Sequence, residues 1–304
     1  MQTIQLISLR HSAFYTPYLI TFIAGFLEEQ GLLANYRCVS NVDELESALL
    51  TGQADVAQSA VAVSMRKTAG TKKNENRVDR KIYHFAQINQ KDGFFIARAL
   101  GNEESTRRFN WGDLENKSII ADHLFQPMAT LKFVLEQAGV NLSKITFIDA
   151  GNAEQSQAAF LAGEAEFIHL QGPYPQQLAE QGKVNIVASV GEALGPIAYS
   201  SLCATNDWLA KPMAIKFISA YKKALAYVQD TDAKRLAEKL HHQFESVSLD
   251  TLTQTIEAYK ALGTWSSTTD ISRDTFQRAN QVFLHSGDID SPVNYEDVVK
   301  SIMC

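Results

Sequence analysis

Apolar and polar positions along the chain change period several times, and they do so in the same order twice. Residues 2–9 form a short apolar run that reads as a strand. Leu19, Ile23 and Phe26 then recur at helical spacing before Gly31, a residue suited to the left-handed position that ends a helix. Residues 36–39 read as the next strand. A helix starting near Asp43, with Glu46 three residues on in the manner of a capping box, leads to Gly52 and to an apolar strand at 56–58. In the second passage Leu131, Val134, Leu135 and Ala138 precede Gly139. There a strand at 145–148, a helix from Asn152 with Gln155 three residues on, Gly163 and a strand at 167–170 follow.

The echo extends to residue identity. Ala48-Leu49-Leu50-Thr51-Gly52-Gln53-Ala54-Asp55-Val56 returns as Ala159-Phe160-Leu161-Ala162-Gly163-Glu164-Ala165-Glu166-Phe167, at nearly the offset that separates Gly31 from Gly139. Each copy is strand, helix, strand, helix, strand, which crossover rules turn into a parallel sheet covered by helices. Two copies imply two lobes. Strands at 82–89 and 94–98 flank Lys91-Asp92-Gly93, and strands at 184–190 and 198–203 flank the segment from Gly191 to Pro196, so these are the expected crossings between lobes. Beyond Asn206 the periodicity predicts helices over 212–229, 233–244, 249–262, 273–284 and 295–302, packed back on the first lobe. The expected fold is therefore α/β and two-lobed, each lobe a mainly parallel sheet flanked by helices. Lobe 1 would span 1–105 with 200–304 and lobe 2 would span 106–199, with a ligand cleft between.

Composition narrows what such a chain can bind. At 304 residues, with 45% hydrophobic and 20% charged, it can bury two ordinary cores. A net charge of -6 gives no basic field for nucleic acid. The basic stretch from Arg66 to Lys81, rich in Asn, Gly and Thr, reads as a solvated loop. Cys38, Cys203 and Cys304 lack metal-ligand or disulfide-framework spacing. No apolar run has membrane-spanning length, and the start lacks a secretory signal pattern. As written the chain is expected to be cytoplasmic and monomeric, or periplasmic if an export signal was removed.

Several motifs resemble the type II periplasmic-binding-protein fold, and within it the group that binds sulfonates, nitrate and thiamine-pyrimidine precursors. Tyr15-Thr16-Pro17 corresponds to the group's H-x-P. The segments Gly25-Phe26-Leu27-Glu28-Glu29-Gln30-Gly31-Leu32 and Leu49-Leu50-Thr51-Gly52-Gln53-Ala54-Asp55 correspond to its helix end and to its L-x-x-G-x-[AV]-D step. Trp111-Gly112-Asp113-Leu114-Glu115-Asn116-Lys117 looks like the D-L-x-G-K entry to the second lobe. The likeness runs from about residue 4 to 230. It departs from the pattern at Tyr15, where the group has histidine, at Asn116, where it has glycine, and in a longer polar insert at 71–80. The resemblance implies capture of a small polar or anionic solute (sulfonate-, nitrate- or pyrimidine-like) as an ABC-transporter substrate-binding protein, with an ABC permease as partner. An enzyme or a ligand sensor on the same fold, related to thiamine-pyrimidine synthesis, is the alternative. Relatives that build the pyrimidine use a lysine and a histidine in the helix after the G-x-x-D step and a downstream cysteine cluster. Here those stretches read Ser59-Ala60-Val61-Ala62-Val63-Ser64 and Gly195 to Cys203, with one cysteine. No cofactor and no catalytic residue are expected, and neither G-x-S-x-G, H-E-x-x-H nor a phosphate loop is present.

Ligands of open α/β sheets bind where strands end and helices begin. That rule selects Arg10, His11 and Tyr15 after the first strand, and Ser59 and Ala60 after the third. In the second lobe it selects Asp122, His123 and Gln126, then Gln171 and Tyr174, with Tyr199 on the return crossing. Pro127 suits a first helical position and would leave the N–H groups of Met128 and Ala129 free for an anion. Tyr15 and Tyr174 offer flat faces with polar tips. Ser59 and Tyr174 would face each other across the cleft.

Overall fold

The structure, a computed structural model, describes residues 1–70, 80–101 and 107–302. Nearly all of the polar insert and Cys304 lie outside them. The first half runs β1 (Gln2–Ser8), α1 (Thr16–Ile23), β2 (Leu32–Cys38), α2 (Val42–Thr51), β3 (Val56–Ser59), α3 (Val61–Gly70) and β4 (Ile82–Asn89). The chain then crosses to β5 (Phe94–Ala99), β6 (Ser118–Ala121), α4 (Phe125–Gln137), β7 (Thr146–Ile148), α5 (Ala153–Leu161), β8 (Phe167–Gln171), α6 (Tyr174–Glu180), β9 (Val184–Ser189) and α7 (Val190–Leu194). It returns through β10 (Ser200–Thr205) to α8 (Asn206–Leu209), α9 (Pro212–Asp230), α10 (Ala233–Leu240), α11 (Leu249–Leu262), α12 (Arg273–His285) and α13 (Tyr295–Val298).

The strands form two five-stranded sheets of identical plan, β2-β1-β3-β10-β4 and β7-β6-β8-β5-β9. The duplicated sequence units thus occupy equivalent strands. Each sheet is mixed rather than simply parallel. β1 pairs in parallel with β2 and β3, and β6 with β7 and β8, but β10 and β5 run antiparallel to both of their neighbours. These reversed strands are the ones that arrive by a crossing, and each enters the sheet from the opposite end. The crossing also lies earlier than the boundary expected at 105. β5 belongs to the second sheet, so the chain changes lobe between Asn89 and Phe94.

Local chemistry explains where most elements stop. Gly52, Gly139 and Gly163 have positive φ at or just past helix ends, as expected, whereas Gly31, also at positive φ, closes a 3-10 turn at Glu28–Gln30 because α1 already stops at Ile23, short of Phe26. The Asn152–Gln155 capping box forms as read. The start of α2 is capped instead by Asn41, whose side chain accepts from the Glu44 N–H at 2.9 Å. Asn116, standing where the resembling group has glycine, takes φ 63, a conformation asparagine tolerates better than most residues.

One apolar core runs through both lobes, and Phe14, Phe94, Tyr199 and Tyr259 are among the buried residues in it. Gly93 lets Phe14 in: a Cβ there would lie 2.3 Å from the Phe14 ring. The C-terminal helices do not keep to the first lobe. α9 packs on α1, but α11 reaches α6, and α12 lies on both α3 and α4. The reason is visible at Tyr259, which accepts from the Gly172 N–H at 2.8 Å and donates to the Gly93 carbonyl at 3.1 Å.

Candidate functional site

Between the sheets lies a cleft of about 810 Å³ that gathers the strand ends of both lobes. Eight of the expected residues line it: Arg10, Tyr15, Ser59, Ala60, His123, Gln126, Gln171 and Tyr199. Asp122 supports it from the side by pairing with Arg10 at 2.6 Å. The walls are mainly aromatic and aliphatic, with Tyr15, Phe94, Phe125 and Tyr199 prominent. Such a lining removes apolar surface from water and strengthens any polar contact made inside it.

His11 and Tyr174 are not in this cleft. They line a second cavity of about 710 Å³ with Glu154, Gln157, Gln177 and residues 242–247. His11 stacks on Phe244 at 4.5 Å, and its ring nitrogens meet Tyr36 Oη at 3.2 Å and the Gln243 carbonyl at 2.9 Å. Burial lowers its pKa. Tyr174 donates to Glu154 at 2.9 Å, and burial pushes its hydroxyl up to about 12. Ser59 and Tyr174 therefore do not face each other. Between the two sets of residues, Ser12 donates to the Gly172 carbonyl at 3.0 Å and joins the lobes.

Many of the cleft's polar groups are already committed. Gln58 accepts from the Leu9 N–H at 3.3 Å, and Gln126 donates to the Tyr199 carbonyl at 3.1 Å. The Tyr15 hydroxyl lies among Gln171, Ser200 and Arg10, and its burial raises its pKa although Arg10 opposes the rise. The start of α4 differs from the expected one. The helix begins at Phe125, with Pro127 inside its first turn, and Met128 N–H is taken by the Leu124 carbonyl at 3.3 Å. The first N–H groups of this helix are those of Phe125 and Gln126, and Leu124 at the cap position offers them no side-chain bond.

Arg66 and Lys67, expected to open a solvated loop, instead lie within α3, whose helical period carries from Val63 through Arg66 to Gly70, and they line the cleft with Ala60 and Val63. Arg66 lies over the Phe125 ring at 5.3 Å, reaching across to the other lobe. Lys67 is paired with Glu46. Phe94 carries Arg10 on one face at 5.9 Å and the His169 imidazole at 4.7 Å. His169 is fully buried, and desolvation pushes it down to about 3, so the imidazole beside Phe94 is neutral.

Asp92, at the first crossing, is fully buried, and burial raises its pKa to about 7. Its carboxylate accepts from the Phe94 N–H at 2.7 Å and from Thr130 Oγ1 at 2.6 Å. Its backbone touches the second crossing: a Cβ on Gly191 would lie 2.1 Å from the Asp92 carbonyl oxygen. Among the described residues no group of three or more His, Cys, Asp or Glu side chains is placed to share a metal ion. Nor is any helix of the described residues long and apolar enough to cross a membrane.

This arrangement, two duplicated sheets facing across a cleft built from their strand ends, has relatives. The NMT1/THI5-like family profile matches residues 13–233. The chain belongs to the NMT1/THI5-like family. YtlA of Bacillus subtilis (strain 168), provisionally named a binding protein, is 26% identical over 297 residues, covering 95% of this chain and 85% of YtlA. A ligand-binding component of an ABC-type import system from Staphylococcus aureus, solved with zinc bound, aligns with TM-score 0.76 and 18% identity over 99% of this chain and 97% of its own. The alkanesulfonate-binding protein SsuA from Xanthomonas axonopodis pv. citri, bound to MOPS, aligns with TM-score 0.74 and 16% identity over 99% of each chain. The fold is that of type II periplasmic binding proteins. In fold the chain is similar to solved substrate-binding components of ABC-type import systems.

Proposed function

We propose that this NMT1/THI5-like protein captures a small organic anion of the sulfonate class in the inter-lobe cleft and presents it to an ABC permease, without chemical change. The observation that carries the reading is the placement of Arg10 on the Phe94 ring, among Tyr15 and Tyr199, close to the lobe junction. A guanidinium is shaped to hold the oxygens of an oxyanion by paired hydrogen bonds. The uncapped start of α4, on the opposite lobe, adds N–H groups and a favourable helix-dipole end.

The size and lining of the cleft argue for an organic body on that anion. A bare nitrate would leave most of about 810 Å³ unfilled, whereas the aromatic walls suit an alkyl or ring substituent. A pyrimidine would instead call for free amide donors and acceptors, and Gln58 and Gln126 are tied to the backbone. The MOPS-bound SsuA structure supports an organic sulfonate as the first ligand class to test.

The test is a thermal-shift and calorimetric panel of alkyl and aryl sulfonates, carboxylates, nitrate and aminopyrimidines. The proposal expects saturable stabilisation by organic sulfonates, amounting to about 2.7 kcal/mol at a hundredfold excess over Kd. Stabilisation by pyrimidines alone, or conversion of any bound compound, would contradict it.

A further inference from the structure

The cation assigned to the solute already carries an anion. Arg10 Nη2 lies 2.6 Å from Asp122 Oδ2, and the two residues come from different lobes. Arg10 follows β1, and Asp122 follows β6, the strand at the equivalent place in the second sheet. With side-chain exposures of 29% and 13%, this is not a freely solvated surface pair, so leaving either charge unpaired is costly. Asp122 is also held from behind: its other oxygen, Oδ1, accepts from the Leu124 N–H at 2.9 Å, just ahead of α4.

We propose that Asp122 is a built-in competitor for the solute's anionic head on Arg10. The proposal rests on the reading of the cleft as an anion site. A solute oxyanion that reaches the guanidinium must displace the Asp122 carboxylate or share Arg10 with it at the cost of repulsion between like charges. In either case the carboxylate weakens anion binding while keeping Arg10 paired. The pair then works as a filter. Neutral solutes gain no ion pair from Arg10, and only an anion with further contacts, such as those offered by the α4 N-terminus and the aromatic walls, outcompetes the carboxylate. An orienting role for Asp122 would have the opposite sign, because removing an orienting group weakens binding.

Asp122→Asn removes the charge and keeps an oxygen that can accept from Leu124. Asp122→Ser, which also offers an acceptor, is measured in parallel so that a folding defect in one variant, seen by circular dichroism, does not stand for the result. Calorimetry on the full chain with benzenesulfonate, and with uncharged methyl phenyl sulfone of similar shape, reads the effect. Benzenesulfonate is expected to bind the Asp122 variants about tenfold more tightly than wild type, the scale of one charge-assisted contact, while the sulfone changes by less than about twofold. Weaker or unchanged benzenesulfonate binding in the variants overturns the proposal, as does an equal gain for both probes, which would indicate a looser cleft. Binding of the sulfone without benzenesulfonate overturns the competitor role and leaves solute capture standing. Failure of every protein to bind either probe overturns the reading of the cleft and this proposal with it.

Discussion

Arg10 and His11 are neighbours in sequence, and so nearly are Gln171 and Tyr174, yet one of each pair lines the cleft and the other the second cavity. The two cavities are of similar size, about 810 and 710 Å³, and both lie between the lobes. Their chemistry differs. The cleft sets Arg10 against aromatic walls beside an uncapped helix start. In the second cavity the polar groups pair locally, His11 with Tyr36 and the Gln243 carbonyl, and Tyr174 with Glu154. Volume and inter-lobe position therefore do not distinguish the two cavities; what sets the cleft apart is a guanidinium on an aromatic wall, itself paired with Asp122, facing a helix start.

The largest effects that would sharpen this contrast are on the apolar supports. Phe94→Ala should cost about 3–5 kcal/mol in urea unfolding and abolish solute binding, because it removes the buried ring on which Arg10 and His169 both rest. Phe244→Ala, on the second cavity, should cost a similar amount and leave affinity intact in the fraction that folds. Loss of binding in both would erase the distinction between the cavities. Gly191→Ala follows at about 3 kcal/mol, the upper part of the overpacking range, since its Cβ would press on the Asp92 backbone where the crossings meet. A melting temperature equal to wild type would show that the crossings are looser than described.

Affinity changes come next. Arg10→Gln should weaken binding of an organic sulfonate by about 10- to 100-fold, the scale of a charge-assisted contact. His11→Gln and Tyr174→Phe should change it by less than about twofold. Equal losses at all three positions would merge the cavities into one site.

The last expected effect is a pH dependence of stability, in which opposing groups partly cancel. Asp92 in the fold titrates near 7, above the 3.8 of an unperturbed aspartate, because burial disfavours its charge. The folded chain therefore holds a proton that the unfolded chain has lost between these values, and stability falls as pH rises through that window. Asp92→Asn should remove this contribution, so that the urea midpoint no longer carries the Asp92 fall between about pH 4 and 7. His84 and His169 act in the opposite sense. Both are pushed from 6.5 to about 3 by burial, so stability falls as pH drops through that interval while the unfolded chain takes up protons. An unchanged curve in Asp92→Asn would show that the carboxyl is not the group responsible.

The contrast also shows how far the sequence can be read. The duplicated units specified both lobes because glycine ends, apolar periods and the Asn152 cap are local signals. The strand-end rule found most of the cleft for the same reason. It misplaced His11 and Tyr174 because it selects loops, whereas the facing of adjacent residues depends on tertiary contacts such as Ser12 to Gly172. Asp92 and His169 escaped notice because burial, which gives them their altered titration, is set by packing from both lobes. The bridging path of α11 and α12 was equally hidden, since helical period shows that a face is apolar but not which lobe covers it.

Hydrogen exchange with and without saturating MOPS separates the cleft from the second cavity. Exchange is expected to slow at residues 58–63 and 122–128, around the cleft, with 173–177 and 241–247 unchanged. Protection confined to the second pair of segments, or none at any segment under conditions where MOPS is shown to bind, would contradict solute capture in the cleft.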